Sequence, residues 1–148
     1  YSIGLIITFI DQISKYYAVS LLDNVNRINL IPNIINLNLV KNTGAAFSLF
    51  PNSTFLLSIV SLIVSIVLFI WIYKDSPMRL WKGMAIGFML GGSVGNGLDR
   101  LRLGYVYDFL ELIPINFPIF NAADIAINIA IFCFIVDTLT NRQRFSNH

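Results

Sequence analysis

The stretch from Thr54 to Tyr73 is twenty residues long and contains no charged side chain. An α-helix needs about 20 apolar residues to cross the hydrocarbon core of a bilayer. Trp71 and Tyr73 at the end of the stretch are typical of a membrane–water interface. The whole chain is 56% hydrophobic and 12% charged, whereas soluble domains carry about 25% charged residues. The sequence therefore predicts an integral membrane protein.

Four such spans with short connections use the whole chain. Gly104 is well placed to end the third helix, and Pro114 and Pro118 prevent that helix from running into the fourth. We also expect a few residues to precede Tyr1, because the chain does not begin with methionine. The predicted fold class is an all-α membrane protein, one domain over residues 1–148, with transmembrane helices over residues 1–22, 54–73, 80–103 and 120–140.

The polar loop 23–52 has the periodicity of β-strands. From Ile35 to Leu39, apolar residues alternate with asparagines, which places the two types on opposite faces of a strand. The earlier run Arg27–Ile31 is separated from it by a Pro-Asn turn signal. We therefore predict a small β-sheet on the membrane surface between the first and second helices, followed by a turn of small residues from Asn42 to Ser48.

The charge distribution predicts an orientation and excludes one class of partner. The net charge of +2 is small and dispersed, which does not suggest nucleic-acid binding. The two connections on one side carry four Lys or Arg residues and the other side carries five. The positive-inside rule therefore puts both termini in the cytoplasm.

The first predicted span contains an acid and a base, Asp11 and Lys15. They are four residues apart, in the order that favours an ion pair on a helix. Ionisable groups inside a membrane are often functional. Both interpretations of this pair, a self-neutralising one and a functional one, stay open at this point.

Asp108 and Asp124 are the strongest candidates for chemistry. Because the third predicted helix leaves the membrane on the side from which the fourth returns, the fifteen residues between the two aspartates keep them at one membrane face. Two carboxylates in close contact share a proton. One can then take a proton from water while the other polarises a peptide carbonyl, as in aspartic peptidases.

Other chemistries have little support in the residues. The only histidine is His148, so a Ser-His-Asp triad or a zinc site would depend on the tail. Three alternatives remain for the aspartates: structural ion pairs between Asp108 and Arg100 or Arg102, an ion or proton relay through Asp108, Asp124 and Arg100 in a small transporter, and a scaffold without enzymatic activity.

Four sequence blocks together resemble one enzyme family, bacterial lipoprotein signal peptidase, also called signal peptidase II. The blocks occur in the family's order and are spread over most of the chain. They are D-Q-x-x-K (Asp11–Lys15), V-K-N-T-G-A-A-F-S (Val40–Ser48), G-N-G-L-D-R-L-R-L-G-Y-V-Y-D-F (Gly95–Phe109) and F-N-A-A-D-I-A-I (Phe120–Ile127).

The resemblance implies a function and a set of site residues. Asp108 and Asp124 would be the catalytic pair, without cofactor or metal. The substrates would be diacylglyceryl-modified prolipoproteins, cut just before the lipidated cysteine. The enzyme would be a monomer in the bacterial cytoplasmic membrane, surrounded by lipid, with its site toward the extracytoplasmic face. The residues expected to support the dyad or contact substrate are Asp11, Asn42, Gly44, Asn96, Arg100 and Asn121.

Overall fold

The computed structural model describes residues 1–22, 25, 27–44, 53–115 and 117–146, and side chains as far as residue 141. The predicted helices are present, and their starts and ends agree closely with the prediction, except that the last one continues past residue 140. In chain order the elements are α1 (Ser2–Leu22), β1 (Ile28–Ile31), β2 (Ile35–Asn42), α2 (Thr54–Lys74), α3 (Leu80–Leu103), β3 (Val106–Leu112) and α4 (Ala122–Ser146).

Helix α3 lies at the centre of the helical bundle and packs against α1, α2 and α4. Its glycines allow this, because close approach of helix backbones requires small residues. A Cβ atom added to Gly91 would lie 2.8 Å from the carbonyl oxygen of Gly4 in α1. One added to Gly92 would lie 2.7 Å from the carbonyl oxygen of Ala123 in α4. Two neighbouring glycines therefore bring α3 into backbone contact with two other helices.

Three of the helices are long and apolar enough to cross a membrane: α1, α2 and the part of α4 from Ala122 to Asn141. Helix α3, the fourth predicted span, has 24 residues but is rich in glycine and carries Asp99, Arg100 and Arg102. Most of its residues between Ala85 and Asp99 are buried against other helices. A helix that faces protein rather than lipid needs little apolar surface, so the fourth span stays a prediction.

The predicted β-hairpin is confirmed, since β1 pairs antiparallel with β2. Its turn contains Asn33 at a φ of 61°, a left-handed conformation that asparagine tolerates better than most residues. The prediction placed the sheet only between α1 and α2 and was therefore incomplete. A third strand, β3, lies between α3 and α4 and pairs antiparallel with β2. Strand pairing across distant segments leaves no signal in the local alternation that predicted the hairpin.

The sheet packs on one end of the helical bundle. A buried apolar cluster joins the sheet to the last turns of α1 and contains Ala18, Leu22, Leu37 and Phe109. Strand β3 follows α3 after the left-handed cap residue Gly104, with a φ of 79°, as predicted. Phe120 bridges to Leu110 just before α4 begins. The ends of α1 and α3, the start of α4 and the sheet therefore meet in one place.

Candidate active site

Asp124 is positioned by the local sequence at the start of α4. Asn121 precedes the helix, and its Oδ1 accepts a hydrogen bond from the backbone N–H of Asp124 at 3.0 Å. In return, Oδ2 of Asp124 accepts one from the backbone N–H of Asn121 at 3.1 Å. This reciprocal arrangement is a capping box, here with aspartate in place of the usual glutamate. It fixes the Asp124 carboxylate against the first turn of its own helix.

The same asparagine brings the second aspartate alongside. Asp108 lies in β3 and is only 3% exposed. Its Oδ1 accepts a hydrogen bond from Nδ2 of Asn121 at 2.6 Å. Asn121, itself fully buried, therefore contacts both carboxylates. The structure brings together the two residues that the sequence singled out.

All four carboxylate oxygens of the pair accept a hydrogen bond from nitrogen. Besides the two bonds from Asn121, Nδ2 of Asn42 donates to Oδ2 of Asp108 at 2.8 Å. Nδ2 of Asn96 donates to Oδ1 of Asp124 at 2.9 Å. Nitrogen donors favour the ionised carboxylate and still leave each oxygen a second lone pair. The pair is thus held in position, and each of its oxygens keeps a lone pair that can accept a proton.

The orientation of each of the three amides is determined by a group that can only donate. A backbone N–H and a lysine ammonium have no acceptor, so the amide oxygen must face them and the amide nitrogen must face the carboxylate. The orienting bonds are Gly44 N to Asn42 Oδ1 at 2.9 Å, Asp124 N to Asn121 Oδ1 at 3.0 Å, and Lys15 Nζ to Asn96 Oδ1 at 2.9 Å.

Arg100 also faces the site without pairing with either aspartate. Its Nη2 donates to the carbonyl oxygen of Gly44 at 3.0 Å, and its charge interacts electrostatically with Asp124 and Asp108. Within the described ranges, neither Arg100 nor Arg102 lies within 4.0 Å of the two carboxylates as an ion-pair partner. The structure therefore does not contain the structural ion pairs that the sequence had left open.

Asp11, the remaining predicted site residue, lies beneath the pair rather than in it. It is fully buried, and its Oδ1 accepts a hydrogen bond from the backbone N–H of Ala123 at 3.0 Å. Its Oδ2 lies 2.8 Å from Nζ of Lys15, as the spacing predicted. Asp11 thus holds the N-terminus of α4, and with it Asp124, against α1.

Sequence reasoning missed the rest of this buried cluster. Asp99 was not among the predicted site residues, yet it is only 5% exposed. Its Oδ2 lies 2.8 Å from Nζ of Lys15, and its Oδ1 accepts a hydrogen bond from Gln12 at 2.9 Å. The spacing of Asn96 and Asp99 gave a usable signal, since residues three apart share a helix face.

The turn predicted from Asn42 to Ser48 is described only as far as Gly44.

Burial controls the protonation of Asp108, which lies in β3 outside the helices. Burial, together with the neighbouring charge of Asp124, raises the pKa of this carboxyl from an ordinary 3.8 to about 6. The hydrogen bonds from Asn42 and Asn121 and the charge of Lys15 act in the opposite direction. A carboxyl with such a pKa can hold a proton close to neutral pH.

This raised pKa predicts a pH-dependent stability difference. Between about pH 4 and pH 6 the folded protein holds a proton that the unfolded chain has released. This proton stabilises the folded state. The stabilisation is fully present below the unfolded pKa and is lost as pH rises through 6. From about pH 4 to pH 7 the wild type should lose roughly 2 kcal/mol of unfolding free energy relative to Asp108→Asn. Thermal unfolding in detergent, followed by tryptophan fluorescence, measures this. A difference that does not change with pH would contradict it.

An apolar cleft of about 480 Å³ adjoins the pair. Asp124 lies in its wall, together with Asn128 one helical turn further along α4. The other lining residues are apolar and come from β3, the segment after it and α4. They are Leu112, Phe117, Phe120, Ile125, Ile129 and Phe132. A hydrocarbon ligand in this cleft would be in contact with the residue that carries one of the two carboxylates.

No group of three or more His, Cys, Asp or Glu side chains is arranged to hold a metal ion in the part of the chain that the structure describes. What the site contains is a pair of hydrogen-bonded carboxylates, a nearby guanidinium and an apolar cleft. Such a site can carry out acid–base chemistry with water.

Comparison with known proteins identifies the family. The family model for signal peptidase II matches residues 3–140. A lipoprotein signal peptidase from Parasynechococcus marenigrum (strain WH8102) is 51% identical over 137 residues, which cover 93% of this chain and 86% of that protein. Another, from Synechococcus sp. (strain RCC307), is 45% identical over 134 residues, covering 90% and 89%.

Solved structures agree with these relatives. A bacterial membrane enzyme determined by the in meso method at 2.3 Å resolution superposes with a TM-score of 0.88 at 28% identity, covering 96% of this chain and 88% of that one. A second such enzyme, at 1.9 Å resolution, gives a TM-score of 0.81 at 29% identity, covering 93% and 90%. With the match to the family model over most of its length, the chain belongs to the signal peptidase II family.

Proposed function

We propose that this protein is an aspartic endopeptidase that removes the signal peptide from diacylglyceryl-modified prolipoproteins and cuts just before the lipidated cysteine. Membership of the signal peptidase II family supports the substrate class. The observation that carries the proposal is that Asn121 contacts both Asp108 and Asp124, 2.6 Å from one carboxylate and 3.1 Å from the other. Two carboxylates held this way can divide the roles of acid and base.

In the proposed mechanism the two aspartates share one proton. The ionised carboxylate takes a proton from water, which attacks the scissile carbonyl carbon, while the protonated one donates to the carbonyl oxygen. The carboxyl that took the proton from water then passes it to the leaving amine as the C–N bond breaks, and the other carboxylate takes a proton back from a hydroxyl of the tetrahedral intermediate. The raised pKa of Asp108, about 6, increases the share of molecules in which this carboxyl is protonated near neutral pH. Asn42, Asn96 and Asn121 keep both carboxylates in place.

The guanidinium of Arg100 is proposed to act on the substrate. Its Nη2 already binds the carbonyl oxygen of Gly44, and its Nε is buried without a hydrogen-bond partner among the described residues. A cation beside the reacting carbonyl would stabilise the negative charge that develops on the oxygen. Gly44 and Asn42 would border the position of the peptide.

The apolar cleft suits a substrate that is anchored in the membrane by lipid. In the arrangement we propose, all four helices cross the cytoplasmic membrane, both termini lie in the cytoplasm, and the sheet and the dyad lie toward the extracytoplasmic face. A single monomeric domain then presents the cleft to lipid and the dyad to the interface. The diacylglyceryl group would enter the cleft while the peptide bond reaches the two aspartates.

A cleavage assay with purified protein tests the function. A prolipoprotein with its diacylglyceryl group should be cut, and mass spectrometry should find the lipidated cysteine as the new N-terminus. The same polypeptide without lipid should be cut at least about tenfold more slowly, since lost contacts in the cleft would cost 1.4 kcal/mol or more. Equal cleavage of both forms, or cleavage of neither, would contradict the proposal.

A cleft-filling variant sharpens this assay. Replacing Ile129, which lines the cleft, with tryptophan should raise KM for the lipidated substrate about tenfold. Ile131 is a matched control, because it lies on the same helix and is 48% exposed but does not line the cleft. Ile131→Trp should leave KM within about twofold. If the two variants behave alike, the lipid does not bind in this cleft.

A further inference from the structure

We propose that Lys15 is a positioning residue, which fixes the direction of the Asn96 amide and thereby the hydrogen bond that Asn96 donates to Asp124. This inference rests on the proposed peptidase function. Lys15 lies in α1. Among the hydrogen bonds of the described residues, it donates none to the carboxylates of the pair.

Lys15 uses its whole ammonium group inside the protein. The side chain is 3% exposed, and its Nζ lies 2.8 Å from Oδ2 of Asp11, 2.8 Å from Oδ2 of Asp99 and 2.9 Å from Oδ1 of Asn96. An ammonium has three N–H donors and no acceptor. Lys15 donates hydrogen bonds to Asp11 and Asn96 and forms an ion pair with Asp99. Asn96 can present only its oxygen to Lys15.

The nitrogen of the Asn96 amide then has to face Asp124. With Oδ1 facing Lys15, Nδ2 faces Asp124 and donates to its Oδ1 at 2.9 Å. Two of the three site asparagines are oriented by backbone N–H groups, which only a proline substitution would remove. Asn96 is oriented by two side chains, because Nδ2 of Asn121 also donates to its Oδ1, at 3.1 Å. Lys15 is the charged donor of the two, so its part in orienting this amide can be tested by substitution.

Loss of Lys15 would change what Asn96 offers to Asp124. Only the neutral Nδ2 of Asn121, which also donates to Asp108, would then hold Oδ1 of Asn96. The amide could rotate by half a turn and bring its oxygen against the carboxylate, where two acceptors repel unless the carboxyl takes up a proton. Asp124 held in its protonated form cannot accept a proton from water. We therefore expect a loss in kcat rather than a rise in KM.

The pH profile should also move. The charged groups around this position are Asp11 from α1, Asp99 and Arg100 from α3, Asp108 from β3 and Asp124 itself. Removing the Lys15 cation from this set makes protonation of the pair easier. The acid limb of kcat should therefore shift to higher pH.

The competing explanation is that Lys15 only neutralises Asp11 and Asp99. A double-mutant cycle separates the two, because residues that act through each other show non-additive effects. Lys15→Met should lower kcat about 10- to 100-fold in the native background, as expected for losing a hydrogen bond to a charged group. In an Asn96→Ala background it should lower kcat less than about threefold, with KM within about threefold in both.

Asp99→Asn supplies the matched control, since it removes one of the ion pairs of Lys15 and leaves the bond to Asn96. Its acid limb should not move to higher pH, because removing an anion makes protonation of the pair harder rather than easier. If Lys15→Met alone does not fold, the comparison is made within the Asp99→Asn background, which has one buried anion fewer.

The inference would be overturned if Lys15→Met lowered kcat equally with and without Asn96. It would also be overturned if Lys15→Met lowered the melting temperature but left kcat per folded enzyme unchanged. The proposed function would fail differently, with no cleavage of the lipidated substrate by the wild type.

Discussion

Replacing either Asp108 or Asp124 with asparagine is expected to reduce kcat for the lipidated substrate by at least about 10³-fold, within the range of positioned acid–base groups. An asparagine amide can neither take a proton from water nor hold the shared one. The geometry supports a joint role for the two residues, because a single asparagine, Asn121, contacts both carboxylates. We expect the two single variants and the double variant to show similar residual rates, since groups that act as a unit are not additive.

Glu111→Gln is the control for this pair of substitutions. Glu111 lies on the same strand as Asp108 but forms an ion pair with Arg27 and accepts a hydrogen bond from Asn36. Its loss should change kcat less than about threefold, because surface substitutions have small effects. Product formation is measured by mass spectrometry on protein whose thermal unfolding shows it to be folded. Full activity in either aspartate variant would refute the dyad.

The second large effect is expected from one methyl group between α3 and α4. In Gly92→Ala the new Cβ would lie 2.7 Å from the carbonyl oxygen of Ala123 and 2.8 Å from Cγ1 of Ile127. A backbone oxygen cannot move aside as a side chain can, so the helices must separate. We expect a loss of about 3 kcal/mol in unfolding free energy. Because Asn96 and Asp124 lie on these two helices, kcat should fall about 10²-fold as well.

Gly83→Ala provides the comparison on the same helix. The nearest atom to its added Cβ would be Cβ of Met78 at 3.7 Å, an ordinary contact. Alanine is favoured over glycine in helices by about 0.5–1 kcal/mol, so this variant should be as stable as the wild type or slightly more stable. Melting temperatures in one detergent and kcat per folded enzyme test both variants. Equal behaviour of Gly83→Ala and Gly92→Ala would contradict the packing argument.

The helices and the two aspartates could be predicted from sequence for physical reasons. A run such as Thr54–Tyr73 has no stable place outside a helix in a bilayer, because every backbone polar group must be paired within the segment. Gly104 ends α3 as predicted, since glycine readily takes the left-handed cap conformation. The spacing of Asp108 and Asp124 around the α3–α4 connection was enough to place them on one side of the molecule.

The third strand and the Lys15 cluster were not predictable in this way. Strand β3 pairs with β2 through residues more than sixty positions apart, such as Val40 with Asp108. Local alternation contains no information on which distant strand will be the partner. Lys15 was correctly paired with Asp11, four residues away, but its contacts with Asn96 and Asp99 depend on how α1 packs against α3.

The sequence by itself determined the elements of this protein: where the long apolar helices begin and end, and which two acidic residues flank the connection between α3 and α4. These follow from local chemistry, namely the length of apolar runs, the helix caps and the cost of charge in lipid. The tertiary structure alone decided that Asn121 contacts both carboxylates and that Lys15 donates a hydrogen bond to Asn96. A hydrogen bond depends on tenths of an ångström in distance and on the direction of the amide. The packing of α3 against its neighbouring helices, through its glycines, sets both.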